Sequence, residues 1–91
     1  MVYEVKFDET VQRIIKKWKK SNAANFKKLV KVIQSISEDP RNGLGHPEPL
    51  IGGEGVVYSR RITANDRIIY RINDDAVYVL VIQIEGHYKD K

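Results

Sequence analysis

The chain has no cysteine among its 91 residues, which excludes disulfide bonds and thiolate-bound metal. It also has no long apolar run, because the longest, Ala76–Ile82, falls far short of the roughly 20 residues that a membrane-spanning helix needs. The first residues lack the basic-then-apolar pattern of an export signal. We therefore expect a cytoplasmic protein with no membrane partner. A hydrophobic content of 42% suits one domain, residues 1–91.

Acidic residues are missing from Thr10–Ser37, although the chain as a whole contains 12 of them. In this segment the charged side chains are all basic: Arg13, Lys16, Lys17, Lys19, Lys20, Lys27, Lys28 and Lys31. One explanation is that they form only the solvated side of helices. Solubility alone favours a surface of mixed charge, however, so we favour a face that binds nucleic acid or an acidic protein.

The pattern of apolar residues predicts an α+β fold. Val2–Phe7 alternates apolar and polar residues, as a half-buried strand does. Two segments with helical spacing follow, the first capped by Asp8 and the second by Ser21 or Asn22, so we expect a helical hairpin. Segments rich in Val, Ile and Tyr then predict three strands, at Val56–Ile62, Arg67–Ile72 and Ala76–Ile84. The expected architecture is an N-terminal strand, a two-helix hairpin, and an antiparallel β-meander with the helices packed on one face.

Four arginines fall on or beside two neighbouring predicted strands: Arg60, Arg61, Arg67 and Arg71. Guanidinium groups are costly to bury and present planar forks that suit phosphate, so the set predicts an anion site. Each arginine taken alone could instead pair with a surface carboxylate, and the candidates are Glu54, Asp66, Asp74 and Asp75. If the turn between the strands has three residues, with Asn65 in the left-handed conformation, Arg61 lies opposite Arg67 on the same face.

The segment Asp39–Gly55 is rich in Gly and Pro and predicts a long loop, or at most a short irregular strand. It holds Glu48 between Pro47 and Pro49. Each proline fixes its own φ and biases the preceding residue toward extended geometry, so the backbone at Glu48 is stiff on both sides. A carboxylate held in this way is either part of a turn or a positioned base.

The two histidines, His46 and His87, lack a second histidine or carboxylate at metal-ligand spacing. We therefore expect no metal site and no other cofactor. A histidine near a chain end is usually just exposed, and His87 acquires a function only if it converges with Glu48 and the arginines. Such a set can cleave RNA without metal. The carboxylate takes the proton of a 2′-hydroxyl, arginine balances the charge on phosphorus, and imidazolium protonates the leaving 5′-oxygen.

Four motifs occur in order along the chain: GLGHPEPL (Gly43–Leu50), YSRRIT (Tyr58–Thr63), DRIIYRINDD (Asp66–Asp75) and GHY (Gly86–Tyr88). Together they resemble the Txe/YoeB family of bacterial toxins, in the RelE superfamily, over nearly the whole chain. The resemblance implies the RelE/ParE-like fold and a toxin of a type II toxin–antitoxin pair that cuts mRNA in the ribosomal A site. It implies as partners the 70S ribosome, mRNA and an acidic antitoxin like YefM or Axe, and a homodimer is a further expectation.

The resemblance also assigns roles to matched positions. Glu48 becomes the general base, Arg67 the phosphate clamp and His87 the general acid. Tyr88 orients the scissile phosphate or stacks on a base. Three residues are assigned to substrate binding: Arg61, Arg60 and His46. Six lysines are assigned to the ribosome: Lys16, Lys17, Lys20, Lys27, Lys28 and Lys31.

Some positions depart from the family pattern. His46 replaces a common lysine, Tyr58 replaces a frequent tryptophan, and Lys89–Lys91 extend past the usual terminal tyrosine. Two alternatives to the ribosome-dependent nuclease therefore remain open. One is a non-catalytic module of the same fold that binds RNA or a protein partner, with Glu48 as a turn residue. The other is a superfamily member that targets gyrase, although such proteins generally lack the acid–base set.

Overall fold

The computed structural model describes residues 2–86, which form two helices and five strands. Helix α1 spans Glu9–Ser21 and begins at the cap predicted from sequence, because the Asp8 carboxylate accepts a hydrogen bond from the Thr10 backbone N–H at 2.9 Å. Helix α2 spans Ala23–Glu38. Asn22 caps α2 through its side-chain oxygen and is the single residue between the helices.

The strands form one five-stranded sheet in the order β1-β5-β4-β3-β2. Their bounds are Glu4–Phe7 for β1, Glu48–Pro49 for β2, Val57–Arg61 for β3, Asp66–Asn73 for β4 and Tyr78–Gly86 for β5. Strand β1 runs parallel to β5 and every other pair is antiparallel. The predicted α+β architecture is confirmed, with a first strand that begins two residues later than the alternation suggested.

The apolar stripes of both helices pack on one face of the sheet. Val11 and Trp18 of α1 are buried together with Leu29, Val32 and Ile36 of α2. The sheet contributes its own buried apolar residues to this core: Ile62, Ile68, Tyr70, Ile72, Val79, Val81 and Ile84. Burial of this apolar surface is the main stabilising contribution to the fold. Among residues 2–86, neither helix has the length and hydropathy needed to cross a bilayer.

The turn between β3 and β4 brings Arg61 and Arg67 into register as partners, the arrangement that the sequence left conditional on the geometry of the turn. The condition itself, a left-handed Asn65, is not met, since the residues with positive φ among residues 2–86 do not include it. A threonine shapes the turn instead. The Thr63 hydroxyl accepts hydrogen bonds from the backbone N–H groups of Asn65 and Asp66 and donates to the Asp66 carboxylate at 2.6 Å.

Candidate active site

The candidate site lies on the face of the sheet that the helices leave open. Arg60 pairs with the core residue Ile68, so side-chain alternation puts its neighbour Arg61 on the opposite, open face. Arg67 is the register partner of Arg61 and shares that face. Glu48 pairs with Ser59, one alternation step from Arg61, and therefore projects from the same face.

These side chains line one open cleft of about 270 Å³. The lining residues are Gly45, His46, Glu48, Ser59, Arg61 and Arg67. Within residues 2–86, no ion pair involves Arg61 or Arg67, so both guanidiniums retain their capacity for an external anion. The cleft thus combines one carboxylate, one imidazole and two cationic forks, and the sequence-predicted Glu48, Arg67, Arg61 and His46 are brought together.

The backbone around Glu48 is fixed by more than its two prolines. Strand β2 pairs with β3 at Glu48 and Pro49, and the Leu50 N–H donates to the Val57 carbonyl at 2.9 Å. Before Glu48, the Gly45 carbonyl accepts a hydrogen bond from the Arg61 N–H at 2.7 Å. Both attachments hold the carboxylate against the strand that carries Arg61.

Glycine is required where the loop approaches β3. Gly45 has φ +83°, and a Cβ there would lie 2.4 Å from the Arg61 carbonyl oxygen. His46 follows with φ +52°, a left-handed conformation that is uncommon for a residue with a side chain. The pair turns the chain so that His46 and Glu48 both reach the cleft.

Arg60 does not reach the cleft, and its assignment to substrate binding is corrected. Its side chain is 1% exposed, and all five guanidinium N–H donors bond within the chain. Nε donates to the Tyr70 hydroxyl at 2.9 Å, and Nη1 to the Ser35 hydroxyl at 2.8 Å. The other bonds are to the backbone carbonyls of Leu44, Asp39 and Asn42. No donor is left for a substrate phosphate.

Arg41 closes the base of the loop that carries Glu48. Its guanidinium donates to both carboxylate oxygens of Asp74 at 3.0 Å and to the Gly55 carbonyl at 3.1 Å. The hydrogen bonds from Arg41, with a further one from the Tyr3 hydroxyl, hold the pKa of the Asp74 carboxyl below its usual value. The two ends of the loop are therefore tied to each other and to the turn between β4 and β5.

The sequence matches a described family over residues 7–88, the YoeB-like toxins of bacterial type II toxin–antitoxin systems. The chain belongs to this family. Among curated members, toxin YoeB of Streptomyces coelicolor is 35% identical over 71 residues, which cover 78% of this chain and 82% of that protein. Toxin RelK of Mycobacterium tuberculosis is 34% identical over 76 residues, covering 84% and 89%.

Solved YoeB structures share the fold. A YoeB/ParE toxin from Agrobacterium tumefaciens superposes with a TM-score of 0.82 at 32% identity, covering 93% of this chain and 99% of that one. YoeB in a YoeB–YefM complex from Staphylococcus aureus gives 0.79 at 25% identity, covering 97% and 100%. The resemblance of the four sequence motifs to the Txe/YoeB toxins is confirmed.

The lysines of this YoeB-like chain are spread over two surfaces. Lys28 and Lys31 of α2 border a groove of about 300 Å³ that also contacts Gly45, His46 and Arg61 of the cleft. The α1 lysines Lys16, Lys17 and Lys20 line a different depression, together with Arg13 and Lys19. Lys27 is exposed on α2. Only the first pair is continuous with the candidate active site.

Two residues with family-derived roles, His87 and Tyr88, lie outside the described residues. The last described residue is Gly86, the register partner of Asp66, which directly precedes Arg67 in the chain. Their assignments as general acid and phosphate-orienting residue therefore stay predictions.

Two polar residues of the open face were not singled out from sequence. Ser59 lies opposite Glu48 and lines the cleft. Glu85 lies opposite Arg67, and its carboxylate accepts a hydrogen bond from the Gln83 amide at 3.1 Å. Because side chains alternate along β3, Ser59 lies on the same face as Arg61, and this position could have been predicted from the sequence. Glu85 depends on the register of β5 against β4, which the sequence does not reveal.

Proposed function

We propose that this YoeB-like toxin is an mRNA endoribonuclease that acts in the A site of the ribosome and so inhibits translation. The observation that carries the proposal is the cleft itself, in which Glu48 shares one open face with Arg61 and Arg67. A carboxylate next to two guanidiniums that form no ion pair within residues 2–86 suits transfer at a phosphate diester.

In the proposed reaction, Glu48 removes the proton from the ribose 2′-hydroxyl, whose oxygen attacks the adjacent phosphorus. The bond from phosphorus to the 5′-oxygen breaks, and a general acid protonates that oxygen. The products are a 2′,3′-cyclic phosphate and a free 5′-hydroxyl. Arg67 and Arg61 balance the negative charge that accumulates on the phosphate oxygens. The scheme uses no metal or other cofactor, and DNA is inert because it lacks the 2′-hydroxyl.

The general acid in this scheme is His87, and Tyr88 orients the phosphate or stacks on a base, both by resemblance to the family. Imidazole suits the first role because its unperturbed pKa, near 6.5, lets it carry a proton close to neutral pH. His46 lines the cleft and contacts substrate from the loop side.

Binding to the ribosome relies on the basic helices. Ribosomal RNA is a dense polyanion, and lysine contacts to its phosphates supply affinity that does not depend on sequence and weakens with salt. The same surfaces suit an acidic antitoxin segment that is disordered alone and folds on binding. Support for such a partner comes from the Staphylococcus aureus relative, which was solved as a YoeB–YefM complex. Association into a homodimer stays a prediction.

The test is cleavage of a defined mRNA programmed into 70S ribosomes, with the cut position and both end groups mapped. We expect a cut in the A-site codon that leaves a cyclic phosphate and a 5′-hydroxyl. Glu48→Gln should abolish cutting while leaving ribosome binding intact, because it preserves shape and removes the base. Glu54→Gln makes the same change at an exposed position outside the cleft and should cut normally.

Each result bears on a different part of the proposal. Normal cutting by Glu48→Gln would remove this carboxylate from the reaction. Absence of cutting by the unaltered protein, on ribosomes that it demonstrably binds, would refute the nuclease and leave a binding module of the same fold.

A further inference from the structure

Arg60 is a buried cation whose guanidinium is surrounded by hydrogen-bond acceptors. Enclosing a guanidinium is costly unless its donors are satisfied and its charge is compensated. Three of its five acceptors are backbone carbonyls, those of Asp39, Asn42 and Leu44. These residues lie within the six positions before Gly45, so Arg60 bonds to the stretch of loop that leads into the cleft.

The two side-chain partners of Arg60 extend this attachment. The Ser35 hydroxyl of α2, which accepts from Nη1 of Arg60, also accepts a hydrogen bond from the Leu44 N–H at 3.0 Å. The Tyr70 hydroxyl of β4, which accepts from Nε, donates to the Pro40 carbonyl at 2.6 Å. Burial raises the pKa of Tyr70, which keeps the phenol protonated and able to donate. Helix, strand and loop therefore meet at one guanidinium.

The loop passes in close contact with the Arg60 guanidinium at Gly43. A Cβ at Gly43, where φ is +131°, would lie 2.2 Å from the Ser35 hydroxyl oxygen and 3.0 Å from Nη1 of Arg60. Among residues 2–86, no buried side-chain nitrogen or oxygen is left without a hydrogen-bond partner. Only glycine at this point lets the chain pass against the Arg60 group.

We infer that Arg60 is the positioning residue of the active site, which fixes residues 39–44 so that His46 and Glu48 are held against β3. The two adjacent arginines thus have different roles. Arg61 lines the cleft, whereas Arg60 is buried in the core and holds the loop that supplies His46 and Glu48 to the cleft. The catalytic part of this inference rests on the proposed function. The anchoring part concerns the free protein and does not.

The test uses variants that remove one partner of Arg60 and keep its charge. Ser35→Ala deletes the hydroxyl shared by Arg60 and Leu44, and Tyr70→Phe deletes the link to Pro40 while retaining the buried ring. Ser37→Ala is the matched control, because it removes a hydroxyl of the same helix that donates at 2.8 Å to the Tyr3 carbonyl and makes no hydrogen bond to Arg60 or to residues 39–44.

Two measurements are made on each variant. The first is hydrogen exchange of the Arg61 amide, which bonds to Gly45 and reports on the attachment of the loop to β3. We expect exchange to become roughly 2- to 10-fold faster with Ser35→Ala and Tyr70→Phe, as loss of one hydrogen bond implies. The second is ribosome-dependent cleavage, whose rate constant at saturation should fall roughly 10- to 100-fold through misplacement of the base, with ribosome affinity unchanged. Ser37→Ala should change neither.

Unchanged Arg61 exchange in both variants would overturn the anchoring role. Faster exchange with a cleavage rate equal to that of the unaltered protein would overturn the positioning role. If the unaltered protein itself fails to cleave, the proposed function is refuted, and the exchange measurement still decides whether Arg60 anchors the loop.

Discussion

Arg61 on β3 and Arg67 on β4 lie directly opposite each other on the open face of the sheet. Side chains in this relationship are about 5 Å apart at Cβ, so two guanidiniums repel each other there and oppose the strand pairing. Within residues 2–86 neither has an ion pair to offset the repulsion, since Glu85, which lies opposite Arg67 on β5, accepts a hydrogen bond from Gln83 and forms no ion pair with Arg67. A sheet that keeps two cations opposed has a local cost in stability, and an anion bound between them would remove it.

Arg67→Gln should therefore make the free protein more stable and less active. Relief of the repulsion should raise the free energy of unfolding by roughly 0.2–1 kcal/mol. Loss of one cation at the phosphate should lower the cleavage rate constant by roughly 10²- to 10³-fold. Denaturant unfolding and cleavage on programmed ribosomes measure the two effects on the same preparation.

Arg71→Gln is the matched control for that experiment. Arg71 lies on the same strand and face, but its register partners are Val57 and Leu80. Arg71→Gln should therefore neither raise the free energy of unfolding nor lower the cleavage rate constant. A folded Arg67→Gln protein that cleaves at the normal rate would refute the role of Arg67 as phosphate clamp.

Gly45→Ala should cost more stability than Gly52→Ala, although both glycines have φ near +85°. At Gly52 a Cβ would meet nothing within 4 Å, so the substitution carries only the left-handed backbone penalty of roughly 1–2 kcal/mol. At Gly45 the Cβ would also overlap the Arg61 carbonyl oxygen at 2.4 Å. The loop must then shift, and cleavage should fall with Gly45→Ala alone. Equal unfolding free energies for the two variants would show that the loop can move without penalty.

Much of the fold could be predicted from local sequence patterns. The caps at Asp8 and Asn22 and the order of helices and strands could be predicted because each depends on residues close in sequence. Pairing of β1 with β5 could not, since an alternating strand does not specify its neighbour. The two-residue strand at Glu48 lies in the segment for which the sequence allowed a short irregular strand, but periodicity could not locate it, because it is too short to have a period.

Glu48, Arg61, Arg67 and His46 lie in one cleft, as the sequence suggested, whereas Arg60 points into the core. Alternation along Tyr58, Arg60 and Ile62 puts Arg60 on the apolar face, while the cost of enclosing a guanidinium argues for the open one. The conflict is resolved by five acceptors supplied from residues 35–44 and from Tyr70. These acceptors lie 10 to 25 residues from Arg60 in sequence, so neither composition nor residue spacing reveals them.

Neutralising the lysines beside the cleft should weaken ribosome binding more than neutralising those on α1. Lys28 and Lys31 border the groove that continues from the cleft, whereas Lys16 and Lys20 line a separate depression. Removal of one lysine that binds a phosphate should reduce the slope of log affinity against log salt by roughly 0.7 to 0.9. We therefore expect a flatter slope for Lys28→Gln/Lys31→Gln than for Lys16→Gln/Lys20→Gln. Identical slopes for the two pairs would show that the groove is not an RNA path.

Asp74 should give the fold an acid-sensitive contribution to stability. Hydrogen bonds from Arg41 and then Tyr3 lower the pKa of its carboxyl below 3.8. A group whose pKa is lowered on folding stabilises the fold above its unfolded-state pKa, and this stabilisation is lost as the pH falls through the folded-state pKa. Asp74→Asn should therefore unfold more easily than the unaltered protein at neutral pH, by an amount that shrinks in buffers below pH 3.8.

Denaturant unfolding across that pH range provides the measurement, with Asp75→Asn as a control that removes the same charge from the same turn. Because Asp74 is exposed, its contribution should also decrease in high salt. The loop carrying Glu48 is tied to Asp74 through Arg41, so Asp74→Asn should loosen that loop at neutral pH as well. A difference between unaltered protein and Asp74→Asn that stays constant down to strongly acidic pH would mean that the Arg41 pair does not act through the charge of Asp74.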